Sequence, residues 1–514
     1  MESYQNRILS FTYTTMPWIW ISPILITIFF ITLRNLSKNK NSLPGPVGLP
    51  IIGHFHLLSK NPHQDLCRLA RKYGPIMAMR FGSIPTIIVS SPAAAKIFLK
   101  AHDLNFADRP HHEASWHLAY EQKNIVFGPY TPYWRNMRKL CTMELLGPSK
   151  ISQFQPMRKR ELGLLVDSLK QGDGEVVDMS VRIMLLSADM ICLMVFGKKY
   201  SDKDLAEKGF KKVMKATMEE AGAFNLRDYF PYLRGINLPG LARRLGDLSK
   251  IFDGFLERII DEHSYNKDEK DRTQNPTLDF VDTMMSIMES GQAGFDFDRR
   301  HVKAVLLDML LAGMDTGAAA VEWTLSELIK HPEIRKKLQK ELSEVVGMNQ
   351  MVEESHLPNL KYLDYVVRES LRLHPVGPLL IHQSIEDCTI NGYHIPKKTR
   401  VLVNVWAIGR DPDVWKDAEM FWPERFEDNN INNNVDVRGR DFELIPFGTG
   451  RRGCPGMQLG LTMVQLVVAQ LVHCFDWELP PGMVAADLDM FENFGLVTSR
   501  ANHLMAIPIY RLSI

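Results

Sequence analysis

The chain has 514 residues, 45% of them apolar and 24% charged, so it can bury a large core and exceeds one ordinary small domain. Its 61 basic residues nearly balance 60 acidic ones, leaving a net charge of +1 and no electrostatic case for a nucleic-acid partner. The six cysteines (Cys67, Cys141, Cys192, Cys388, Cys454, Cys474) form no Cys-x-x-Cys pair, which fits neither a zinc site nor a disulfide framework and indicates buried free thiols in a reducing compartment.

Residues 16–33, "MPWIWISPILITIFFITL", run for 18 positions without a charge, long enough to span a bilayer. Trp18 and Trp20 suit one interface, and Arg34, Lys38 and Lys40 follow at the other. No Ala-x-Ala-like site follows, which favours a retained anchor over a cleaved signal peptide. The expected organisation is a luminal tail and transmembrane anchor at 1–33, a basic, proline-rich hinge at 34–53 and a cytosolic body at 54–514. Within the body, 75–90 reads as two short strands with a turn at Gly82–Pro85. Helical periodicity then dominates to about 375, including 205–223, 241–265, 298–331 and 358–374. Polar tracts at 266–277 and 428–440 read as loops, and strand-like runs return at 376–404 and after 475. The pattern predicts a mainly α fold with small β-sheets.

Several short stretches carry chemistry. "YWRNMR" sets Trp134 and Arg138 four apart on one helical face. "LLAGMDTGAAA" places Asp315 and Thr316 inside an apolar helix about 50 Å long. Gly313 and Gly317 would each cost about 1 kcal/mol there, and the polar pair more unless partnered. "ESLR" puts Glu369 and Arg372 on one helix face, and "PERF" follows with Arg425. The most informative stretch is "PFGTGRRGCPG" at 446–456. From Gly448 to Gly453 it spells Gly-x-Gly-x-x-Gly, with Asp476 where a dinucleotide-binding unit wants an acid. The context fails, because the helix at 457–474 leads into "FDWELPPGM", with two prolines where a buried parallel strand should run. The alternative is a thiolate at Cys454. Glycines let backbone N–H groups approach its sulfur, Pro455 suits the first turn of the next helix, and Arg452 is placed for an acidic group of a cofactor.

Phe447, Gly450, Arg452, Cys454 and Gly456 match Phe-x-x-Gly-x-Arg-x-Cys-x-Gly, and over nearly its whole length the chain resembles the cytochrome P-450 family. The resemblance implies haem b with Cys454 as the axial metal ligand. Phe447, Gly448 and Arg452 would belong to the haem loop, with Trp134, Arg138 and His382 as propionate contacts. Glu369, Arg372 and Arg425 would form a structural triad bracing that loop. Asp315 and Thr316 would relay protons, at a local helix distortion that admits dioxygen. Two departures stand out: Gly317 replaces a frequent second hydroxyl residue, and "LLIHQS" lacks a proline before His382, a one-residue deletion near Ile381. The implied protein is a single-pass endoplasmic-reticulum monooxygenase of plant specialised metabolism. Having no flavin or nicotinamide unit, it would draw electrons from a separate NADPH-dependent cytochrome reductase, with Arg135, Lys139 and Arg451 either docking or simply solvated. The expected substrate is a small hydrophobic molecule, a terpenoid ahead of a phenolic or alkaloid, in a pocket including Phe224, Met309, Ala312, Val376, Leu379, Leu496 and Val497. A haem-thiolate isomerase or dehydratase is disfavoured by Thr316. A non-catalytic membrane haem-binding protein would leave the relay motif unexplained.

Overall fold

The computed structural model describes residues 43–200, 209–236, 240–265, 278–427 and 435–513, with Ile26 and Phe29. The rest of the expected anchor and the tracts 266–277 and 428–434 lie outside the described residues. Strands β1 (Ile76–Phe81) and β2 (Ile84–Val89) form an antiparallel hairpin with Phe81 opposite Ile84. The turn is therefore Gly82-Ser83, two residues long, with Gly82 in the left-handed region at φ +58. Pro85 lies inside β2 rather than in the turn; pairing on the strand's other side begins only at Thr86. The helices that build the site are α1 (Pro132–Leu140), α2 (Met179–Phe196), α3 (Phe210–Gly222), α4 (Leu241–Tyr265), α5 (Arg299–Lys330), α6 (Lys361–Leu373) and α7 (Met457–Cys474). Between α6 and α7 come β3 (Leu379–Gln383) and β4 (Arg400–Asn404), completing a sheet in the order β1-β2-β4-β3.

The expected helices at 241–265 and 298–331 are found with those bounds to within a residue; of the one expected at 205–223, residues 205–208 lie outside the described residues and the helix runs Phe210–Gly222. Asp298 caps α5 by accepting from the Arg300 and His301 amides, and His331 closes it. The expected helix at 358–374 begins at Lys361, because Pro358 sits in a separate 3-10 turn, Glu354–Asn359. Helices α2, α5 and α7 are long and apolar enough to cross a membrane, yet 61%, 61% and 67% of their apolar windows are buried inside the protein. They are apolar all round because they form the core. At Gly313 a Cβ would lie 2.7 Å from Ile191 Cδ1, so glycine there permits the close approach of α2 to α5 and offsets its poor helix propensity.

The acidic and basic residues of the expected triad meet. Arg372 donates to both Glu369 carboxylate oxygens at 2.8 Å, and Arg425 Nε donates to Oε1 at 3.0 Å. The Trp422 amide adds a bond to the same oxygen at 2.8 Å. The arginines' remaining donors go to the carbonyls of Gly409, Lys416, Asp417, Ala418 and Met420. The triad thus braces the segment 409–425 that precedes the cysteine loop, rather than the loop itself. Glu369 and Arg372 are fully buried, so removing one partner strands a charge in the core. Glu369→Ala should cost about 3–5 kcal/mol, read as a fall in the urea midpoint. Lys336→Ala, at an exposed pair with Glu333, should cost under about 1 kcal/mol.

Candidate active site

The segment 447–456 folds into a tight loop because two of its glycines adopt conformations other residues avoid. Gly448 and Gly450 both have φ +67, and a Cβ at Gly450 would fall 2.7 Å from Asp103 Oδ1. The Cys454 amide donates to the Phe447 carbonyl at 2.8 Å, closing the loop. Helix α7 starts at Met457, so Pro455 precedes the helix rather than occupying its first turn. Burial raises the Cys454 thiol, while the Gly456 amide and the Arg138 charge act to lower it. The residue is nonetheless accessible to solvent. High local protein density with an open surface marks the wall of an internal void. Ala312 and Thr316 are likewise exposed although α5 is buried along most of its length.

Around this void lies an unusual concentration of positive charge. Arg452 is 7% exposed, and its guanidinium lies 3.8 Å from the Trp134 ring centroid. It donates to the carbonyls of Ala107 and Gly128, and its Nη1 has no partner. Arg138 reaches the Gly453 carbonyl, tying α1 to the cysteine loop. Arg109 donates to the Val126 carbonyl at 3.2 Å, and its Nη1 is also buried without a partner. Burial, with help from neighbouring arginines, pushes Arg452 down to about 9 and Arg109 down to about 10. Asp108 is the one carboxylate acting on either of them. Three cations against one anion leave two positive charges to be balanced, and Arg109 Nη1 and Arg452 Nη1 are two buried donors without an acceptor among the described residues. A group carrying two carboxylates fits that gap.

The other expected cofactor contacts are held by the protein as follows. The Trp134 indole N–H donates to the Ile125 carbonyl at 2.9 Å, and its ring lies under the Arg452 guanidinium. Burial holds His382 down to about 3, so its ring is neutral, with Nδ1 2.9 Å from the Phe106 carbonyl. The proline missing before it leaves β3 regular: five residues pair in register with β4, from Leu379 opposite Asn404 to Gln383 opposite Arg400. Phe447 lies against α7 where Gly460 leaves room for its ring. Arg451, one of the expected docking charges, is paired with Asp103 at 2.6 Å.

On α5 the helix continues unbroken through the Asp315–Thr316 motif, so the expected local distortion is not a break in the helix. The Thr316 hydroxyl donates to the Ala312 carbonyl at 2.5 Å. Burial raises the Asp315 carboxyl, and no hydrogen-bond partner for it is found among the described residues. The position lacking the second hydroxyl, Gly317, faces the Ser187 hydroxyl at 3.7 Å from where its Cβ would sit. Of the expected pocket residues, Val376 and the turn 495–497 come together through a 2.9 Å bond from the Thr498 amide to the Val376 carbonyl. Trp323 of α5 donates to the Thr498 carbonyl, and Leu496 closes on Gly222 of α3. Met309 and Ala312 share α5 with the polar pair, and Leu379 opens β3. Phe224 is set apart: it is 56% exposed and stacks with Tyr229 and Phe55 beside the β1-β2 hairpin. Sequence reasoning missed Arg109, since one arginine in "FADRP" carries no signal until folding brings it to Arg452.

The comparison with known families decides the assignment: the cytochrome P450 model matches residues 43–505. The chain belongs to the cytochrome P450 family. A cytochrome P450 from Panax ginseng, CYP736A12, is 49% identical over 96% of both chains. A flavonoid 3'-monooxygenase from Crocosmia x crocosmiiflora, CYP75B137, is 40% identical over 97% of this chain and 99% of that one. A zebra fish cytochrome P450 structure with abiraterone superposes with a TM-score of 0.72 at 27% identity, covering 88% of this chain and 100% of that one. The chain is thus a monooxygenase of helix-rich fold with small sheets, and its family's group is a cysteine-ligated haem. A haem's two propionates match the two uncompensated arginine charges. Cys454→Ser should therefore abolish the long-wavelength carbon monoxide band of the reduced protein. Cys474→Ser, removing a buried thiol pushed up to about 12, should leave that band intact.

Proposed function

We propose that this chain is a membrane-anchored haem-thiolate monooxygenase that oxidises a small, neutral, hydrophobic metabolite with electrons from a separate NADPH-dependent reductase. The observation carrying it is the accessible Cys454 in a glycine-rich loop beside buried arginines short of two negative charges. Cys454 would hold the iron, while Arg109, Arg138 and Arg452 would hold the carboxylates. The haem supplies dioxygen activation and oxygen transfer when bound. The chain's own residues orient substrate, exclude water and move protons. Asp315, raised by burial, retains a proton to higher pH than an exposed carboxyl and can pass it on. The Thr316 hydroxyl, whose proton goes to the Ala312 carbonyl, is left with free lone pairs and can donate elsewhere by rotating off that carbonyl.

The substrate reading follows from the walls. Met309, Ala312, Val376, Leu379, Leu496 and Val497 offer apolar surface, and a carboxylate left unpaired there would cost several kcal/mol. Apolar burial at about 25 cal/mol per Å² would supply most of the affinity. A terpenoid suits such walls; a phenolic skeleton is the second reading, favoured by similarity to a flavonoid 3'-monooxygenase. Residues 16–33 would anchor the protein in the endoplasmic-reticulum membrane with its body in the cytosol.

Reconstitution with a plant NADPH-dependent reductase, and a screen of neutral terpenoids and phenolics, tests the reading through substrate-dependent consumption of oxygen and NADPH. Thr316→Ala should keep haem content yet form several-fold less product per NADPH oxidised. Unchanged coupling would remove Thr316 from proton delivery. Anchoring by 16–33 should survive salt and alkaline washing of membranes, and release by either treatment would overturn it.

A further inference from the structure

Asp308 is buried at 7% exposure in the middle of α5, two turns before Asp315, and nothing in the proton relay uses it. Its carboxylate accepts three hydrogen bonds from one stretch of loop. Asn124 Nδ2 donates to Oδ1 at 2.7 Å, and the amides of Ile125 and Val126 donate to Oδ2 at 2.6 and 3.1 Å. Those donors belong to a loop 183 residues away in sequence, held in a demanding conformation. Tyr120, Glu121 and Gln122 are consecutive left-handed residues at φ 51, 62 and 59. Gly128 then packs so tightly that a Cβ would fall 2.2 Å from the Asn124 carbonyl oxygen. While the loop's amides face Asp308, its carbonyls face the Trp134 indole and the arginine cluster. Ile125 accepts from Trp134, Val126 from Arg109 and Gly128 from Arg452. Between 122 and 128 only Val126 is exposed. Asp308 and Ala312 are one turn apart on α5, with Thr316 one turn further, so the loop is pinned one turn before the exposed Ala312 and two before the exposed Thr316.

We propose that Asp308 is a positioning residue that sets ligand selectivity, by fixing the 124–128 loop between α5 and the arginine cluster. A carboxylate is needed because one side chain must accept from three donors. An asparagine offers one acceptor oxygen, and its amide would meet the Asn124 amide unless Asn124 turned over and gave up the bond its Oδ1 accepts from Ser115. Through this clamp the position of the exposed Val126 is set from the same helix that carries Thr316. The proposal rests on the haem-site reading above.

The test uses holoprotein of the wild type, Asp308→Asn, and Asp308→Asn combined with Asn124→Asp. The double variant restores complementarity, since the carboxylate at 124 accepts from the amide at 308 and the remaining carbonyl oxygen accepts from the two backbone amides. Two nitrogen-donor probes, imidazole and the bulkier 4-phenylimidazole, are titrated by their shift of the haem spectrum, and hydrogen exchange is followed across 119–128. In Asp308→Asn, exchange at 124–126 should rise at least tenfold, and 4-phenylimidazole affinity should change at least fivefold. Imidazole affinity should stay within twofold, with the reduced carbon monoxide band in place. The double variant should return both quantities to within twofold of wild type. Unchanged exchange, equal effects on both probes, or a double variant no better than the single would overturn the clamp. If Asp308→Asn does not accumulate as holoprotein, Asn124→Ala carries the same comparison with one donor removed. A wild type lacking the carbon monoxide band would sink the haem reading, while the exchange comparison would still decide the clamp.

Discussion

Three arginines confined with a single carboxylate are the constraint that the surroundings of Cys454 answer to. Buried guanidinium groups are tolerable only when their donors are met, and here backbone carbonyls meet most of them. Ala107 and Gly128 supply Arg452, Val126 supplies Arg109 and Gly453 supplies Arg138. Carbonyl dipoles satisfy donors but do not cancel net charge. The protein therefore folds around an electrostatic debt of two charges, and a dianionic cofactor completes the interior.

The long central helix gives that interior its geometry. Glycine at 313 draws α2 against it, and the Ser187 hydroxyl donates to the Met314 carbonyl at 2.7 Å. With one face held, the adjoining face can leave Ala312 and Thr316 uncovered without loosening the core. Elsewhere the same helix is anchored by apolar packing and by Trp323, whose indole N–H fixes the turn carrying Leu496 and Val497. One rigid element thus positions relay and pocket together.

Much of this was legible in the sequence where chemistry is local. The glycines around Cys454 sit within a few residues of it, and the period of α5 extends over nine turns. Glu369 and Arg372 are three apart, so their pairing follows from helix geometry once burial is granted. What escaped depends on distant partners. Arg109 acquires meaning only beside Arg452, and Asp308 only beside Asn124, 184 positions earlier. The bond from the Trp134 indole to the Ile125 carbonyl likewise joins segments whose approach no local pattern announces. The stacking of Phe224 with Tyr229 and Phe55 is another contact between segments that sequence spacing does not reveal.

The edge of the four-stranded sheet has a consequence for how the protein is made. Strand β3 is an outer strand without proline, and its free side is covered by the segment 105–108. The Gln383 amide bonds the Asp108 carbonyl at 3.0 Å, and the Ile385 amide bonds Asn105 at 2.8 Å. That segment leads directly into Arg109 and offers the Ala107 carbonyl to Arg452, so its hold on the edge is tied to cofactor charge. A chain synthesised faster than it is loaded is expected to release this cover and present bare strand amides to its neighbours. Solubility during expression should then track haem supply more closely than temperature.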